Sequence, residues 1–257
     1  MSKLLDRLNQ VSRAVPQPVG FRTSQPAPSK PRILLIASLA EAALDSLTDY
    51  MVGADAGLLR IPKLSSAAKI LQKISQAMPD IPWGGWLMDS AQEGIKQTAK
   101  IGVDFVVFPA ASTPLAILQD NKTGKVLEVE SSLSEGSLRA VNELPVDAVL
   151  IANGASDFLT WHHLILFQRF ANMLTKPLLV SLPSKVTSAE LQALWEAGVD
   201  GVVVEIEIGE PDRLNGVRQL VDKLAFSSRR KRGKIEPSLR YVSQETGVVE
   251  EEEEEEE

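Results

Sequence analysis

The chain has 257 residues, and its formal net charge of −7 comes from eight consecutive glutamates at the C-terminus, Glu250 to Glu257. Without them, 26 acidic side chains (34 less 8) stand against 27 basic ones, a balance that argues against binding of DNA or RNA. The chain has no cysteine, which excludes disulfides, thiolate nucleophiles and cysteine-ligated metals. No apolar run reaches the roughly 18 residues of a membrane span, and no signal sequence is recognisable, so we expect a cytoplasmic protein.

Three segments differ in composition. Residues 1–31 are an amphipathic stretch followed by a proline-rich linker, residues 32–226 form the hydrophobic body, and residues 227–257 are a basic run followed by polyglutamate. The last segment is too polar to bury a core, which predicts disorder. The amphipathic stretch can dock on its own domain, on a membrane surface or on a partner, and we expect the first.

Short β-branched runs alternate with amphipathic helical stretches through the body, which is typical of a parallel sheet made of βα units. Eight runs predict a closed (βα)8 TIM barrel. The predicted strands are Ile33–Ala37, Ala56–Ile61, Trp83–Met88, Phe105–Pro109, Val126–Glu130, Ala148–Ala152, Leu178–Leu182 and Gly201–Ile206. The clearest helices are Ser65–Met78, Ser90–Ile101, Thr160–Leu174, Ser188–Ala197 and Asp212–Ala225.

A weak four-fold repeat of paired βα units supports the barrel. The even-numbered strands follow similar turns with an aspartate that we interpret as structural: Asp55, Asp104, Asp147 and Asp200. The odd-numbered strands lead into a serine or threonine with a glutamate three residues later, which predicts capping boxes. These pairs are Ser38 with Glu41, Ser90 with Glu93, Ser132 with Glu135, and Thr187 with Glu190.

Carboxylates are the main catalytic candidates, because the active site of such a barrel lies at the C-terminal ends of its strands. Period-two alternation puts Glu205 and Glu207 on one face of strand 8, and Glu128 and Glu130 on one face of strand 5, all directed into the barrel mouth. Asp89 ends strand 3 and can join them. Such a group can hold a divalent cation through oxygen ligands, or supply an acid and a base.

Basic residues near the same strand ends provide a second interpretation of these carboxylates. They can neutralise the glutamates in interior ion pairs, and all of them except Lys125 can alternatively bind a ligand at the mouth. The residues concerned are Arg60, Lys63, Lys125 and Lys185.

The two histidines of the chain, His162 and His163, lie at the start of the sixth predicted helix, on the side of the barrel where the strands end. Asn153 and Ser156 fill the loop before them, and a helix N-terminus with such neighbours can receive an anion. This pattern makes His162 a catalytic candidate, and Asn153 and Ser156 ligand-binding candidates. Ordinary helix-start chemistry is the alternative interpretation.

The loops after strands 7 and 8 lack the glycine-rich backbone that phosphate-binding barrels place there. Strand 7 continues into Pro183-Ser184-Lys185, and strand 8 into Gly209-Glu210-Pro211 close to its glutamates. These features disfavour flavin mononucleotide and phosphate ligands. Dinucleotide-binding, P-loop, zincin and nucleophile-elbow motifs do not occur in the sequence.

The segment from Gly102 to Leu115, which begins Gly-Val-Asp-Phe-Val-Val-Phe-Pro, resembles a middle strand of the class I aldolase barrels that cleave 2-keto-3-deoxy-6-phosphogluconate. The resemblance implies an aldolase-type barrel. That family carries a Schiff-base lysine within a barrel strand, whereas strand 6 here reads Val-Leu-Ile-Ala and we expect no lysine inside any strand. The resemblance therefore extends to the fold and not to the aldolase activity.

Two functional hypotheses follow. The first is a small-molecule lyase or isomerase that uses carboxylate acid–base chemistry, with or without a divalent cation such as Mg²⁺. The second is a non-catalytic barrel that serves as an interaction scaffold and contacts a protein partner through its N-terminal helix and charged tail. The short loops favour the second hypothesis, and the carboxylates favour the first.

Overall fold

The computed structural model describes residues 2–12, 33–39, 47–61, 64–88, 102–152, 157–207, 209–210 and 212–224. The predicted helix at Ser90–Ile101, the proline-rich linker and the C-terminal tail lie outside these residues.

Eight parallel strands form a closed barrel, in which each strand pairs with the next along the chain and the last pairs with the first. The TIM barrel predicted from the alternating pattern is therefore confirmed. The strands are β1 (Leu34–Leu39), β2 (Ala56–Ile61), β3 (Trp83–Leu87), β4 (Phe105–Pro109), β5 (Gly124–Val129), β6 (Ala148–Ile151), β7 (Leu178–Ser181) and β8 (Gly201–Ile206).

Helices precede the barrel and connect its strands. Four predicted helices agree with the structure to within three residues at either end. The helices are α1 (Lys3–Ser12), α2 (Leu47–Tyr50), α3 (Leu64–Ala77), a 3₁₀ helix (Leu115–Gln119), α4 (Glu135–Glu143), α5 (Trp161–Met173), α6 (Ser188–Glu196) and α7 (Arg213–Asp222). None of these described helices is long and apolar enough to cross a membrane.

The strands separate two hydrophobic cores, because successive side chains point to opposite faces. In β8, Val202 and Val204 pack in the outer core against the helices, while Val203 packs inside the barrel. The same alternation directs Glu205 into the barrel.

Helix α1 closes the N-terminal end of the barrel. Its Leu4, Leu5 and Leu8 are buried in the inner core, where each leucine contributes about 1.5–3 kcal/mol. Asp104, just before β4, accepts hydrogen bonds from the backbone N–H groups of Lys3 and Leu4 at 2.7 and 2.9 Å, and so satisfies donors that a helix start leaves open. The amphipathic stretch thus docks on its own domain, and its apolar face is covered.

Two glycines, one in β2 and one in β3, let large aromatic rings pack against the backbone of the barrel. A Cβ on Gly84 would lie 2.4 Å from the Phe105 ring, inside the barrel. A Cβ on Gly57, in β2, would lie 2.2 Å from the Trp83 ring. Both large rings therefore lie directly against backbone, which only glycine permits.

The turn aspartates are structural, as the sequence predicts. Three of them accept a hydrogen bond, each at 2.8 Å, from a backbone N–H near the start of the preceding odd-numbered strand. The pairs are Asp55 with Leu35, Asp147 with Lys125, and Asp200 with Leu178. Asp104 differs from these three because its carboxylate binds helix α1 instead.

The predicted capping boxes have mixed outcomes. Thr187 and Glu190 form the expected box at the start of α6. The prediction for Ser132 is wrong, because the N-cap of α4 is Ser134, whose hydroxyl accepts from a backbone N–H at 3.2 Å. The prediction for Ser38 is also wrong, because this residue lies within β1.

Candidate site at the C-terminal mouth of the barrel

The strand registers stack the inner side chains in layers of four, each drawn from alternate strands. The character of the layers changes from apolar to polar toward the C-terminal ends of the strands. The last apolar layer is Leu58, Val107, Leu150 and Val203. Above it lie Ser38, Trp86, Glu128 and Ser181, and then Arg60, Pro109, Ala152 and Glu205.

A continuous set of contacts crosses this mouth from β8 to β5. The Arg60 guanidinium donates a hydrogen bond to Glu205 in an ion pair, and it lies over the ring of Trp86, with Cζ 5.1 Å from the ring centroid. The indole Nε1 of Trp86 donates to Glu128 Oε2 at 2.7 Å. We call these four residues the mouth network.

The mouth network is accessible to solvent. The side chains of Arg60 and Glu205 are 33% and 45% exposed, and Glu128 is half-buried. An ion pair this exposed contributes only about 0–1 kcal/mol to stability, so its main effect is to hold the guanidinium in place. With two carboxylates and one guanidinium, the network carries a net charge of −1.

Two buried hydroxyls lie beside the network. Ser38 Oγ, Ser181 Oγ and Arg60 Nε have no hydrogen-bond partner among the described residues, and both serines are buried. A buried polar group without a partner costs about 1–3 kcal/mol. Both Oγ atoms are also shielded from solvent, so a ligand reaches them only after side chains of the layer above have moved.

The predicted carboxylates separate into an inner and an outer pair. Glu128 and Glu205 face into the barrel, whereas Glu130 and Glu207 are exposed beyond the strand ends, where strand alternation no longer controls direction. Glu130 accepts a hydrogen bond from the Ser132 hydroxyl at 3.1 Å. Asp89 lies outside the described residues. Within the part of the chain that the structure describes, no three acidic or histidine side chains come together to hold a metal.

The predicted basic residues also occupy different places. Arg60 lies in the mouth, and Lys185 is exposed in the loop after β7. Lys125 belongs to β5, which corrects the expectation that no strand contains a lysine; its Nζ donates to the Asp120 carbonyl, so the predicted interior ion pair is wrong for this residue. Lys63, Asn153 and Ser156 lie outside the described residues.

The histidines belong to the start of helix α5. His163 Nδ1 accepts a hydrogen bond from the Thr160 backbone N–H at 3.1 Å, and Thr160 Oγ1 accepts from the His163 N–H at 3.3 Å, which together form a capping box. Burial, followed by the nearby His162, lowers the pKa of His163 below its ordinary value. His162 is exposed on the same turn. Helix-start chemistry therefore accounts for His163, and neither residue is part of the mouth network.

Sequence reasoning overlooked Trp86, Ser38 and Ser181. Period-two alternation along β1, β3 and β7 would have placed all three on the inner face. Ser38 was assigned to a helix cap because a serine at a strand end fits both patterns. The hydrogen bond between Trp86 and Glu128 joins β3 to β5, which are not adjacent strands, so no local sequence pattern indicates it.

Comparison with known proteins finds similarity at the level of structure. No family model matches the chain, and no curated protein matches it. A mutant tryptophan synthase alpha-subunit from Pyrococcus furiosus superposes with a TM-score of 0.58 and 15% identity over 74% of this chain and 97% of its own. A second mutant of that subunit gives a TM-score of 0.59 at 14% identity, over 74% and 97% of the two chains.

A protein of Aquifex aeolicus VF5 is similar to the same degree, with a TM-score of 0.57 and 12% identity over 75% of this chain and 92% of that one. At identities this low, the similarity shows the fold and nothing about activity. The chain is a TIM barrel whose structural neighbours include tryptophan synthase alpha-subunits, in agreement with the barrel fold that the sequence predicted.

Proposed function

We propose that the C-terminal mouth binds a small organic molecule and acts on it as a lyase or isomerase, with Glu128 as the acid–base group. The observation that carries this proposal is the hydrogen bond from Trp86 to Glu128 inside a polar layer that lies directly on an apolar barrel core. A general base must be held within hydrogen-bond reach of the substrate, and this contact fixes the carboxylate at the mouth.

The other residues of the mouth have complementary roles. Because Trp86 donates to Oε2 of Glu128, Oε1 is the atom that takes a proton from the substrate. Arg60 lies over the face of the same indole whose edge donates to Glu128, so a molecule about as large as that ring reaches both Glu128 and Arg60. The guanidinium then stabilises the negative charge that develops on a substrate oxygen. Ser38 and Ser181 bind polar groups of the substrate in the layer below, which requires that the substrate moves the side chains of the layer above.

The reaction class follows from the combination of Glu128 as a base with Arg60 as a cation. Removal of a proton by Glu128 leaves its electron pair on the substrate, where Arg60 stabilises the resulting oxyanion. Return of the proton to another atom gives an isomerisation, and departure of a leaving group gives an elimination. The barrel fold is compatible with this proposal but does not identify the activity.

The test is thermal unfolding of the full chain against a panel of small metabolites, with the shift in midpoint as the readout. We expect a saturable increase that Glu128→Gln and Glu205→Gln reduce. Glu130→Gln and Glu207→Gln are matched controls, because they make the same chemical change two residues further along the chain, outside the barrel. A shift that survives Glu128→Gln, or that Glu130→Gln abolishes equally, contradicts the proposed site.

The catalytic step has its own test. With a ligand identified by the panel, the protein in D₂O is expected to exchange a carbon-bound hydrogen of that ligand for deuterium, which NMR detects. Glu128→Gln should abolish the exchange, whereas Glu130→Gln should not. Ligand binding without exchange, and without any other conversion of the ligand, would show that the protein binds this molecule but does not act on it as an enzyme.

A further inference from the structure

A large apolar patch lies outside the barrel at the start of helix α5. Phe158, Trp161 and Ile165 are 63%, 80% and 67% exposed. Trp161 and Ile165 are one helical turn apart and therefore share a face. We call these three residues the Trp161 patch. Contiguous apolar surface of this kind marks an interaction site more often than a scatter of single residues does.

A groove lies directly beside the patch, between α5 and α6. Its volume is about 580 Å³, enough for a large aromatic side chain. Trp161 and Leu164 form one wall, and Ala189, Ala193 and Leu194 form the other. The two alanines are small, so the groove is open where α6 faces the patch.

The groove offers little to a charged partner. Its one charged lining residue is Glu190, and that carboxylate already accepts hydrogen bonds from the Thr187 N–H and hydroxyl at 2.7 and 2.8 Å. A phosphate or an acidic peptide therefore finds no countercharge among the lining residues, and the single carboxylate is already held at the start of its own helix. The surface suits an apolar and aromatic partner.

We propose that this surface is a two-fold interface between two copies of this chain. A two-fold interface must carry a projecting feature and its receptor on the same patch, because each copy presents both. Trp161 projects beside the groove that it helps to line. In the dimer, Trp161 of each copy enters the α5–α6 groove of the other, and the Ile165 side chains lie near the axis.

The available area fits a weak, reversible dimer. Since a large aromatic side chain buries about 150–250 Å², the exposed fractions of Phe158, Trp161 and Ile165 correspond to roughly 400 Å² for each copy. Two copies give about 800 Å², and the groove walls bring the total toward the roughly 1,000 Å² at which specific interfaces begin. We therefore expect an equilibrium between monomer and dimer.

Sedimentation velocity of the full chain over about two orders of magnitude in concentration tests the interface. The wild-type chain should shift from monomer to dimer, and Trp161→Asp should raise the dissociation constant by about 30-fold or more, as a central tryptophan does elsewhere. Leu115→Asp is the matched control, because Leu115 is also 80% exposed but lies in the 3₁₀ helix. It should leave the equilibrium unchanged.

Cysteine cross-linking provides a second measurement that does not depend on loss of binding. The chain has no cysteine of its own, so Ile165→Cys and Leu115→Cys each introduce a single thiol. Mild oxidation at a concentration where the dimer forms should link Ile165→Cys into a covalent dimer, and should leave Leu115→Cys largely monomeric. Thermal unfolding of all variants confirms that they are folded.

Three results overturn the proposal. One is a wild-type chain that stays monomeric over the whole concentration range. Another is a dimer that Trp161→Asp leaves intact, since the interface then lies elsewhere. The third is a monomer that sediments with neutral phosphatidylcholine vesicles through Trp161, which would make the patch a lipid-binding surface.

Discussion

The backbone N–H of Leu4 donates a hydrogen bond to the Asp104 carboxylate at 2.9 Å, and this contact attaches helix α1 to the base of the barrel. The same carboxylate accepts from the Ser2 hydroxyl at 2.7 Å. Three aspartates at equivalent turns bind the backbone of an adjacent strand instead. Of the four turn aspartates in the repeat, Asp104 therefore caps the helix that closes the barrel, and the other three bind an adjacent strand.

Replacing Asp104 should therefore release α1 before it unfolds the barrel. We expect Asp104→Ala to lower the free energy of unfolding by about 1–2 kcal/mol, the usual cost of losing a helix N-cap. Amide hydrogen exchange should accelerate most in residues 3–12. Urea unfolding and exchange mass spectrometry measure the two effects.

The control is Asp6→Ala, which removes an exposed carboxylate from the same helix. Its effect on stability should stay within about 0.5 kcal/mol, as for most surface substitutions. Equal losses for the two variants would show that the carboxylate of Asp104 does not anchor the helix.

Gly124 tests the same docking from the side of the barrel. A Cβ at this position would lie 2.7 Å from Leu5 Cδ1 and 2.9 Å from Ser2 Cβ. Gly124→Ala should therefore push α1 outward and cost about 1–3 kcal/mol, as other overpacked cores do. Urea unfolding monitored by circular dichroism measures the change.

A glycine in open space provides the comparison for Gly124. Gly216, within α7, has no heavy atom within 4 Å of an added Cβ. Gly216→Ala should therefore stabilise the protein by about 0.5–1 kcal/mol, because alanine loses less backbone entropy in a helix. Opposite signs for the two variants are the expected result, and equal signs would contradict the packing argument at Gly124.

The fold was predictable because it depends on local periodicity. Alternation along β8 predicted that Glu205 faces inward and that its apolar neighbours face the helices, and the structure agrees. The ends of the strands were less predictable, because the alternation of apolar and polar residues does not indicate where hydrogen bonding between strands stops. Glu207 was expected inside for that reason, although β8 ends at Ile206.

The candidate site was less predictable because it depends on contacts between distant strands. The sequence indicated Glu128 as an inward carboxylate, but its partner Trp86 lies 42 residues away. Lys125 was expected to neutralise a carboxylate in the barrel, yet its one-residue offset from Val126 places it on the opposite face of β5. Residue type alone suggested which side chains could interact. The strand register determines which of them lie on the same face of the sheet and at the same level of the barrel.

The two buried serines predict a conflict between stability and ligand binding. Ser38 Oγ and Ser181 Oγ lack partners among the described residues, so Ser38→Ala and Ser181→Ala remove an uncompensated polar group. Each variant should leave stability unchanged or raise it by about 1 kcal/mol. Each should also reduce the thermal shift produced by a mouth ligand.

Ser132→Ala is a suitable comparison, because its hydroxyl is exposed and bonds to Glu130 outside the barrel. It should change neither the stability nor the ligand-induced shift appreciably. A loss of about 1–3 kcal/mol for Ser38→Ala or Ser181→Ala would instead show that these hydroxyls are hydrogen-bonded in the folded protein.

The lowered pKa of His163 predicts a pH dependence of stability. Burial and the nearby His162 lower this pKa, so the unfolded state binds more protons than the folded state just below the ordinary value of 6.5. Stability should therefore be complete above about pH 6.5 and should fall as the pH is lowered through that value. Protonation would also turn Nδ1 into a donor and end its hydrogen bond from Thr160.

The variant His163→Gln isolates this effect, because glutamine at the same position preserves the capping box without titrating. Subtracting its unfolding free energies from those of the wild-type chain between pH 5 and 7 should leave a difference that rises with pH, whereas carboxylate titrations cancel. NMR titration of His162→Gln, which contains a single histidine, measures the pKa of His163 directly. That pKa should move upward on loss of the neighbouring charge and stay below its ordinary value through burial. A value at or above 6.5 would contradict both the capping geometry and the predicted pH dependence.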